Sequence, residues 1–75
     1  MARHDAIAEV TGLVWKLLVA IGDEVAEGAE VAILESMKME VPVYAPVAGR
    51  VVEIVAPESA PVEEGATVVV IEAPS

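Results

Sequence analysis

The stretch Val31-Ala-Ile-Leu-Glu-Ser-Met-Lys-Met-Glu-Val-Pro-Val-Tyr44 decides how this chain folds. Apolar runs of the β type precede and follow its central tetrapeptide, Ser36-Met-Lys-Met39. Two strands joined by so short a segment form a hairpin, and the two central residues of such a turn are usually Asn-Gly or a similar pair, because they need positive φ. Methionine and lysine follow no such preference, and methionine is apolar where water is expected. A local rule broken in a consistent sequence marks a candidate functional site.

The rest of the chain consists of short apolar runs separated by Gly, Pro, Asp and Glu, which is typical of many short strands. Apolar residues do not recur at helical spacing over three turns, so the sequence predicts no helix. The predicted strands are residues 6–10, 12–19, 31–36, 39–44, 49–55 and 67–72, with very short strands near residues 25 and 62.

An internal repeat organises these strands. A shift of 37 residues aligns the two halves, about 1–38 and 39–75, without a gap. The matching pairs are Ala8 and Ala45, Gly12 and Gly49, Val14 and Val51, Val25 and Val62, Gly28 and Gly65, Val31 and Val68, and Glu35 and Glu72. Two copies of a β unit too small to bury a face alone pair around a pseudo-twofold axis. We therefore predict one all-β domain, residues 1–75, built as a two-sheet sandwich.

Glycine positions within the repeat predict the turns. Gly28 and Gly65 stand in equivalent Glu-Gly-Ala segments, where positive φ is the usual reason for glycine. Gly22 marks a further turn, but its counterpart is Ser59, so the shape of the second turn stays open.

One conflict in strand parity predicts a bulge. Lys16 is expected to face outward, although Val14 has the same parity and resembles a core residue. A β-bulge between residues 14 and 17 resolves this conflict, and the face on which Trp15 lies stays open. Gly12 and Gly49 predict a close backbone approach or a bulge of their own.

Composition excludes several classes of function. The 75 residues carry 13 acidic and 4 basic side chains, a net charge of −9, and such a surface repels nucleic acid. The chain has no cysteine and one histidine, which argues against disulfides and metal sites. No apolar run approaches the roughly 20 residues of a membrane span, and no secretory signal is visible. We expect no nucleic-acid or membrane partner and a cytoplasmic location.

Lys38 is the candidate for covalent modification, because the other lysine, Lys16, lies within a predicted strand. The alternative is an ordinary solvated lysine that pairs with Glu35 or Glu40. These glutamates favour the charged ammonium, whereas nucleophilic attack needs the free amine, and no neighbouring residue is a suitable base. A modifying enzyme would have to supply activation, so the domain is predicted to be a substrate and not an enzyme.

The other candidates carry less chemistry. Met37 and Met39 are either core filler or exposed, adaptable contacts, and their place at a turn favours contact. Glu35 and Glu72 are not read as a catalytic carboxylate pair, because the repeat makes them equivalent strand ends. His4 is expected on a frayed terminus, which excludes a Ser/His/Asp arrangement.

Residues 35–39, Glu-Ser-Met-Lys-Met, resemble the modification motif of the biotin carboxyl carrier, or biotinyl/lipoyl attachment, domain family. In that family the central lysine takes biotin through an amide bond. The resemblance covers nearly the whole chain, including residues 12–23, 25–28 and 45–49. It implies a flattened barrel or sandwich of two four-stranded antiparallel sheets (a barrel-sandwich hybrid), with the modified lysine on a protruding turn.

The resemblance also implies a function. Biotin attached to Lys38 by a biotin protein ligase would receive a carboxyl group from a biotin carboxylase, which uses ATP and bicarbonate. A carboxyltransferase would then pass that group to an acyl-CoA or a keto acid. Met37 and Met39 flank the attachment site, and Glu35 and Ser36 complete the motif; serine here replaces the commoner alanine and is expected to be neutral. The chain lacks the thumb segment of some bacterial acetyl-CoA carboxylase carriers and resembles small thumbless ones.

Two alternatives remain at this stage. The first is a lipoyl carrier of a 2-oxoacid dehydrogenase-type complex, although lipoyl domains usually carry Asp before the lysine and Ala after it, unlike Met37 and Met39. The second is an unmodified interaction module, such as the hairpin domain of an efflux adaptor, which usually lacks a lysine at the tip.

Overall fold

A computed structural model describes residues 2–74 of the chain, and this part is all-β, as predicted. The strands are β1 Ala2–Ile7, β2 Gly12–Leu17, β3 Glu24–Val25, β4 Glu30–Ser36, β5 Met39–Tyr44, β6 Gly49–Ile54, β7 Pro61–Val62 and β8 Thr67–Ala73. They form two four-stranded sheets with strand orders β1-β8-β6-β3 and β5-β4-β2-β7. Every pairing is antiparallel, so the predicted fold class is confirmed.

The core lies between the two sheets and is built almost entirely from valine, leucine, isoleucine and alanine. Side chains of a strand alternate between its faces, so alternate residues of most strands contribute to the core. Residues 68–71 of β8 are an exception, because all four are buried. The largest fully buried side chains are Val14, Val31, Leu34, Val43, Val51, Val68, Val69 and Ile71. A membrane-spanning helix is absent from residues 2–74.

The internal repeat is visible in the backbone hydrogen bonds. The Gly28 N–H donates to the Ala45 carbonyl at 2.8 Å, and the Gly65 N–H donates to the Ala8 carbonyl at the same distance. Both glycines have the predicted positive φ, 84° and 89°. Each half therefore closes the turn of the other half, which makes the two halves one cooperative unit.

The predicted bulge is present in both halves. The β2–β4 register shifts between Val14 and Lys16, and the β6–β8 register shifts at the equivalent place, between Val51 and Glu53. The bulge places Trp15 on the outer face, where the side chain is 45% exposed and the Lys16 Nζ lies 5.5 Å from the ring centroid. The question left open by the sequence is thereby answered.

The turn at Ser59 keeps the shape of its glycine-containing counterpart. Ser59 has φ of 74°, and Gly22 has φ of 98°. The Ser59 N–H donates to the Val14 carbonyl at 2.7 Å, just as the Gly22 N–H donates to the Val51 carbonyl at 2.8 Å. Equivalent hydrogen bonds thus hold the serine in a conformation that a non-glycine residue rarely adopts.

The first predicted strand, residues 6–10, was wrong by four residues at its start. The observed strand is residues 2–7, and a loop follows it. His4 pairs with Ile71 of β8, so the expectation of a frayed terminus at His4 was also wrong. The remaining long strands agree with prediction within two residues, and the short strands at 24–25 and 61–62 lie where expected.

The reason for this error is the composition of an edge strand. The strand was predicted at 6–10 because apolar residues are concentrated there, whereas the observed β1 makes polar side-chain contacts with β8. Arg3 lies 3.7 Å from Glu72, and the Thr67 hydroxyl donates to the Asp5 carboxylate at 2.9 Å. Edge strands commonly carry such charged side chains, and these give no apolar alternation to detect.

Candidate functional site

The hairpin of β4 and β5 ends in a two-residue turn formed by Met37 and Lys38. The strands pair up to Ser36 and Met39, and the two turn residues have φ of 52° and 64°. Positive φ at both central positions is the conformation that matches the right-handed twist of the flanking strands. The turn therefore has the usual hairpin geometry but is built from residues with a β-carbon. Such conformations cost of the order of 1–3 kcal/mol each.

The Lys38 side chain is exposed at this tip. The ion pairs within residues 2–74 are Arg3–Glu72 and Arg50–Glu24, and Lys38 belongs to neither. The interpretation of Lys38 as a turn lysine paired with a neighbouring glutamate is therefore not supported.

The flanking residues of the motif are exposed as well. Met37 is 92% exposed and Met39 is 65% exposed, which excludes the interpretation of both as core filler. Glu35 and Glu40 are exposed and lie directly opposite each other across the two strands. Like charges in this position destabilise a sheet. The Glu35–Glu40 pair next to the lysine is therefore unfavourable for the stability of the sheet.

Ser36 is held by a contact that the sequence did not predict. Its hydroxyl donates to the Thr11 carbonyl at 2.7 Å, and the Thr11 hydroxyl accepts from the Glu64 N–H at 3.0 Å. The repeat partners of Ser36 and Thr11 are Ala73 and Ala48, so the other half has no equivalent of this brace. Comparing the halves for paired changes from alanine to a hydroxyl residue would have revealed it.

Gly12, at the start of β2, supports the base of the hairpin. A β-carbon at this position would overlap the Glu35 carbonyl oxygen and lie 3.2 Å from the Ser36 β-carbon. The close approach predicted for this glycine is therefore confirmed, and backbone packs directly on backbone beneath the turn. The lysine extends from a rigid base.

The arrangement presents an exposed amine at the tip of the hairpin. Within residues 2–74 no group of three or more His, Cys, Asp or Glu residues is placed to hold a metal ion. A flexible four-carbon side chain carries the Lys38 amine away from the protein surface, where another enzyme has access to it. The amine is the one nucleophile of the motif that an external active site could enclose.

Turn strain at this site gives a testable prediction. Met37→Gly should raise the free energy of unfolding by about 1 kcal/mol, because glycine adopts positive φ without a steric penalty. Met39→Gly, the same change on the other side of Lys38, should instead lower it by about 0.5–1 kcal/mol, because Met39 lies in a strand with ordinary φ. Urea unfolding of both variants measures the two shifts. Shifts of the same sign would contradict the assignment of strain to the turn.

Comparison with known proteins places the chain in a family. The family model described as "Biotin-requiring enzyme" matches residues 5–71. The chain is 47% identical over 57 residues to a "Biotin/lipoyl attachment protein" of Bacillus subtilis, an alignment that covers 76% of this chain and 78% of the relative. It is 43% identical over 51 residues to a "Biotinylated protein TB7.3 homolog" of Mycobacterium leprae, covering 68% and 72% of the two chains.

A solved structure shows the same fold. The urea carboxylase of Kluyveromyces lactis superposes on 96% of this chain with a TM-score of 0.89 and 38% sequence identity. The match covers 6% of that much longer chain. Because the family model matches residues 5–71 and the Bacillus subtilis relative is 47% identical over 76% of this chain, the chain belongs to the family of biotin/lipoyl attachment domains.

Proposed function

We propose that this domain is a biotin carboxyl carrier with biotin attached to Lys38. The observation that carries the proposal is the exposed Lys38 amine at the tip of a strained turn, outside the ion pairs of residues 2–74 and between two exposed methionines. Biotin bound there would carry a carboxyl group from a biotin carboxylase to a carboxyltransferase that acts on an acyl-CoA or a keto acid. Both steps take place on partner enzymes, and a biotin protein ligase makes the attachment.

The residues of this chain would serve as the attachment point and its support. The amide to Lys38 leaves an arm that reaches on the order of 12–14 Å beyond the Cα atom. Tethering keeps the group at high effective concentration without releasing it. Gly12 and the Ser36–Thr11 hydrogen bond hold the base of the hairpin, so that motion is confined to the arm. We further propose a cytoplasmic location, where ATP for the carboxylation is available.

Biotin is favoured over lipoate by two independent observations. Met37 and Met39 flank the lysine, whereas lipoyl domains usually carry Asp and Ala there. The relative from Mycobacterium leprae is named a biotinylated protein, and the superposed structure is a urea carboxylase. Lipoate on Lys38 is the second candidate, because the Bacillus subtilis relative is named for both groups.

Intact mass spectrometry tests the proposal. Co-expression with a biotin protein ligase and biotin should add one biotinyl group, and Lys38→Arg should abolish the increment because no acylable amine remains at the tip. Lys16→Arg, a change of the only other lysine, should leave the increment intact.

A parallel expression with a lipoate ligase distinguishes the second candidate. An unmodified wild-type mass in the presence of the biotin ligase would contradict the biotin proposal. A lipoyl increment on Lys38, without a biotinyl one, would assign the domain to lipoyl carriers instead.

A further inference from the structure

Because the two halves of the chain are related by a pseudo-twofold axis, the outer surface of one sheet can be compared, position by position, with that of the other. On the outer face of the β1-β8-β6-β3 sheet, the paired residues Arg3, Glu72, Arg50 and Glu24 form one row across all four strands. Their charges alternate, and two ion pairs close at 3.7 Å (Arg3–Glu72) and 3.3 Å (Arg50–Glu24). The charges of this row are balanced within the domain.

The equivalent row of the hairpin sheet is not balanced. The shift of 37 residues places Glu40, Glu35, Leu13 and Pro61 on the corresponding positions, and these residues pair across the β5-β4-β2-β7 sheet in the same way. Where the other half has alternating charges, this row has two adjacent glutamates, Glu40 and Glu35, followed by Leu13, which is 38% exposed. Nothing in the internal stability of the sheet explains this difference, because like charges placed opposite each other are unfavourable.

The next row of the hairpin sheet combines apolar side chains with one lysine. Lys16, Ile33 and Pro42 pair across its strands, and the bulge adds Trp15 to the same face. The corresponding positions of the other half are Glu53, Val70, Asp5 and Val52. An exposed tryptophan beside isoleucine and proline, with acidic residues along one side, has the composition of a protein interface, in which aromatic residues are enriched at the centre.

We propose that this docking face, formed by Leu13, Trp15, Ile33, Glu35, Glu40 and Pro42, binds the biotin carboxylase. The proposal deepens the carrier function and rests on it. The expected partner surface has an apolar centre with lysine or arginine residues on one side, opposite Glu35 and Glu40.

Charge complementarity agrees with the biotin carboxylase as the occupant of this face. ATP and bicarbonate are both anions, so an enzyme that collects them presents positive potential around its active-site cleft. A carrier with a net charge of −9 and two unbalanced glutamates beside its lysine is attracted to such a cleft.

Distances along the hairpin agree with this arrangement. Ile33 lies three residues before Ser36 on β4, which corresponds to about 10 Å along the strand. The arm on Lys38 reaches on the order of 12–14 Å. An enzyme bound over the docking face therefore lies close enough for the end of the arm to enter a pocket at the edge of that enzyme. No contact between the enzyme and the Lys38 backbone is needed.

Steady-state kinetics with the biotinylated domain as substrate test the proposal. Biotinylated wild type, Trp15→Ala and Leu13→Arg are compared for ADP release by a biotin carboxylase, after intact mass has shown that each carries one biotin. Both variants should raise KM at least tenfold with little change in kcat, because they remove docking contacts and leave the arm unchanged. The control is Ile21→Ala, an apolar residue that is 66% exposed outside the docking face, and its KM should equal that of wild type.

Leu13→Arg is included because it is expected to raise KM without destabilising the domain. It copies Arg50 from the equivalent position, places a cation opposite Glu35, and should leave the unfolding midpoint unchanged or higher. Because the chain has one tryptophan, Trp15 emission should also shift when the unmodified wild-type domain is titrated with the carboxylase.

The possible results are distinct. Absence of biotin on the wild type, or of carboxylation of the biotinylated wild type, counts against the carrier function itself. Normal carboxylation with wild-type KM in both variants overturns the docking proposal alone. A wild-type KM in the carboxylase assay, together with a raised KM in an assay of the carboxyltransferase, would also overturn it, since the face would then bind the carboxyltransferase.

Discussion

Replacing Leu34 or Ile71 by alanine is expected to lower the free energy of unfolding by about 2–5 kcal/mol. The two residues occupy equivalent positions of the repeat, are fully buried, and are among the largest such side chains of the core. A domain of 75 residues has about 4–11 kcal/mol of stability in total. Either substitution therefore removes a large share of it, and the pseudo-twofold symmetry predicts similar losses for both.

Urea unfolding followed by circular dichroism measures these losses. Ile21→Ala removes a side chain that is 66% exposed and should change the free energy of unfolding by less than about 0.5 kcal/mol. A loss at Leu34 no larger than the loss at Ile21 would contradict the assignment of the core. A large loss at only one of Leu34 and Ile71 would contradict the equivalence of the two halves.

Gly12→Ala and Gly49→Ala are expected to have the next largest effect, a loss of about 1–3 kcal/mol each. A β-carbon at Gly12 would overlap the Glu35 carbonyl oxygen, and one at Gly49 would overlap the carbonyl oxygen of Glu72. Both obstacles are backbone atoms of a paired strand, so relief requires the strands to move apart rather than a side chain to rotate. Unlike the core substitutions, each of these changes should disturb one end of the molecule: Gly12→Ala the end that carries the hairpin tip, and Gly49→Ala the end near Glu72.

Native-state hydrogen exchange separates the two ends. Gly12→Ala should speed amide exchange at the hairpin base, around Ser36 and Met39, whereas Gly49→Ala should speed it around Glu72 and Ala73. Each variant serves as the control for the other, because the chemical change and the expected loss of stability are the same. Identical exchange patterns in the two variants would show that these glycines do not support separate ends.

Much of the fold and the central residue of the site follow from the sequence. The short strands were predicted from apolar runs and the turn residues between them, which are local signals. The two-sheet sandwich was predicted from the internal repeat, and its two four-stranded antiparallel sheets from the family resemblance. Lys38 was predicted at a hairpin tip because the six residues 35–40, which separate two apolar runs, leave only one place for a turn. The bulge near Trp15 was predicted because strand parity conflicts with the side chains themselves.

The tertiary structure decided the remaining features, each of which depends on residues far apart in the chain. β1 begins at Ala2 because it pairs with β8, a partner that its own polar sequence does not indicate. Thr11 braces Ser36 across 25 positions of sequence, and Trp15 faces outward only once β2 is paired with β4. Local sequence specified strands and turns through steric and hydrophobic preferences. The support of Lys38, and the placement of Leu13 and Pro61 beside Glu35, arise from long-range pairing, which local preferences do not encode.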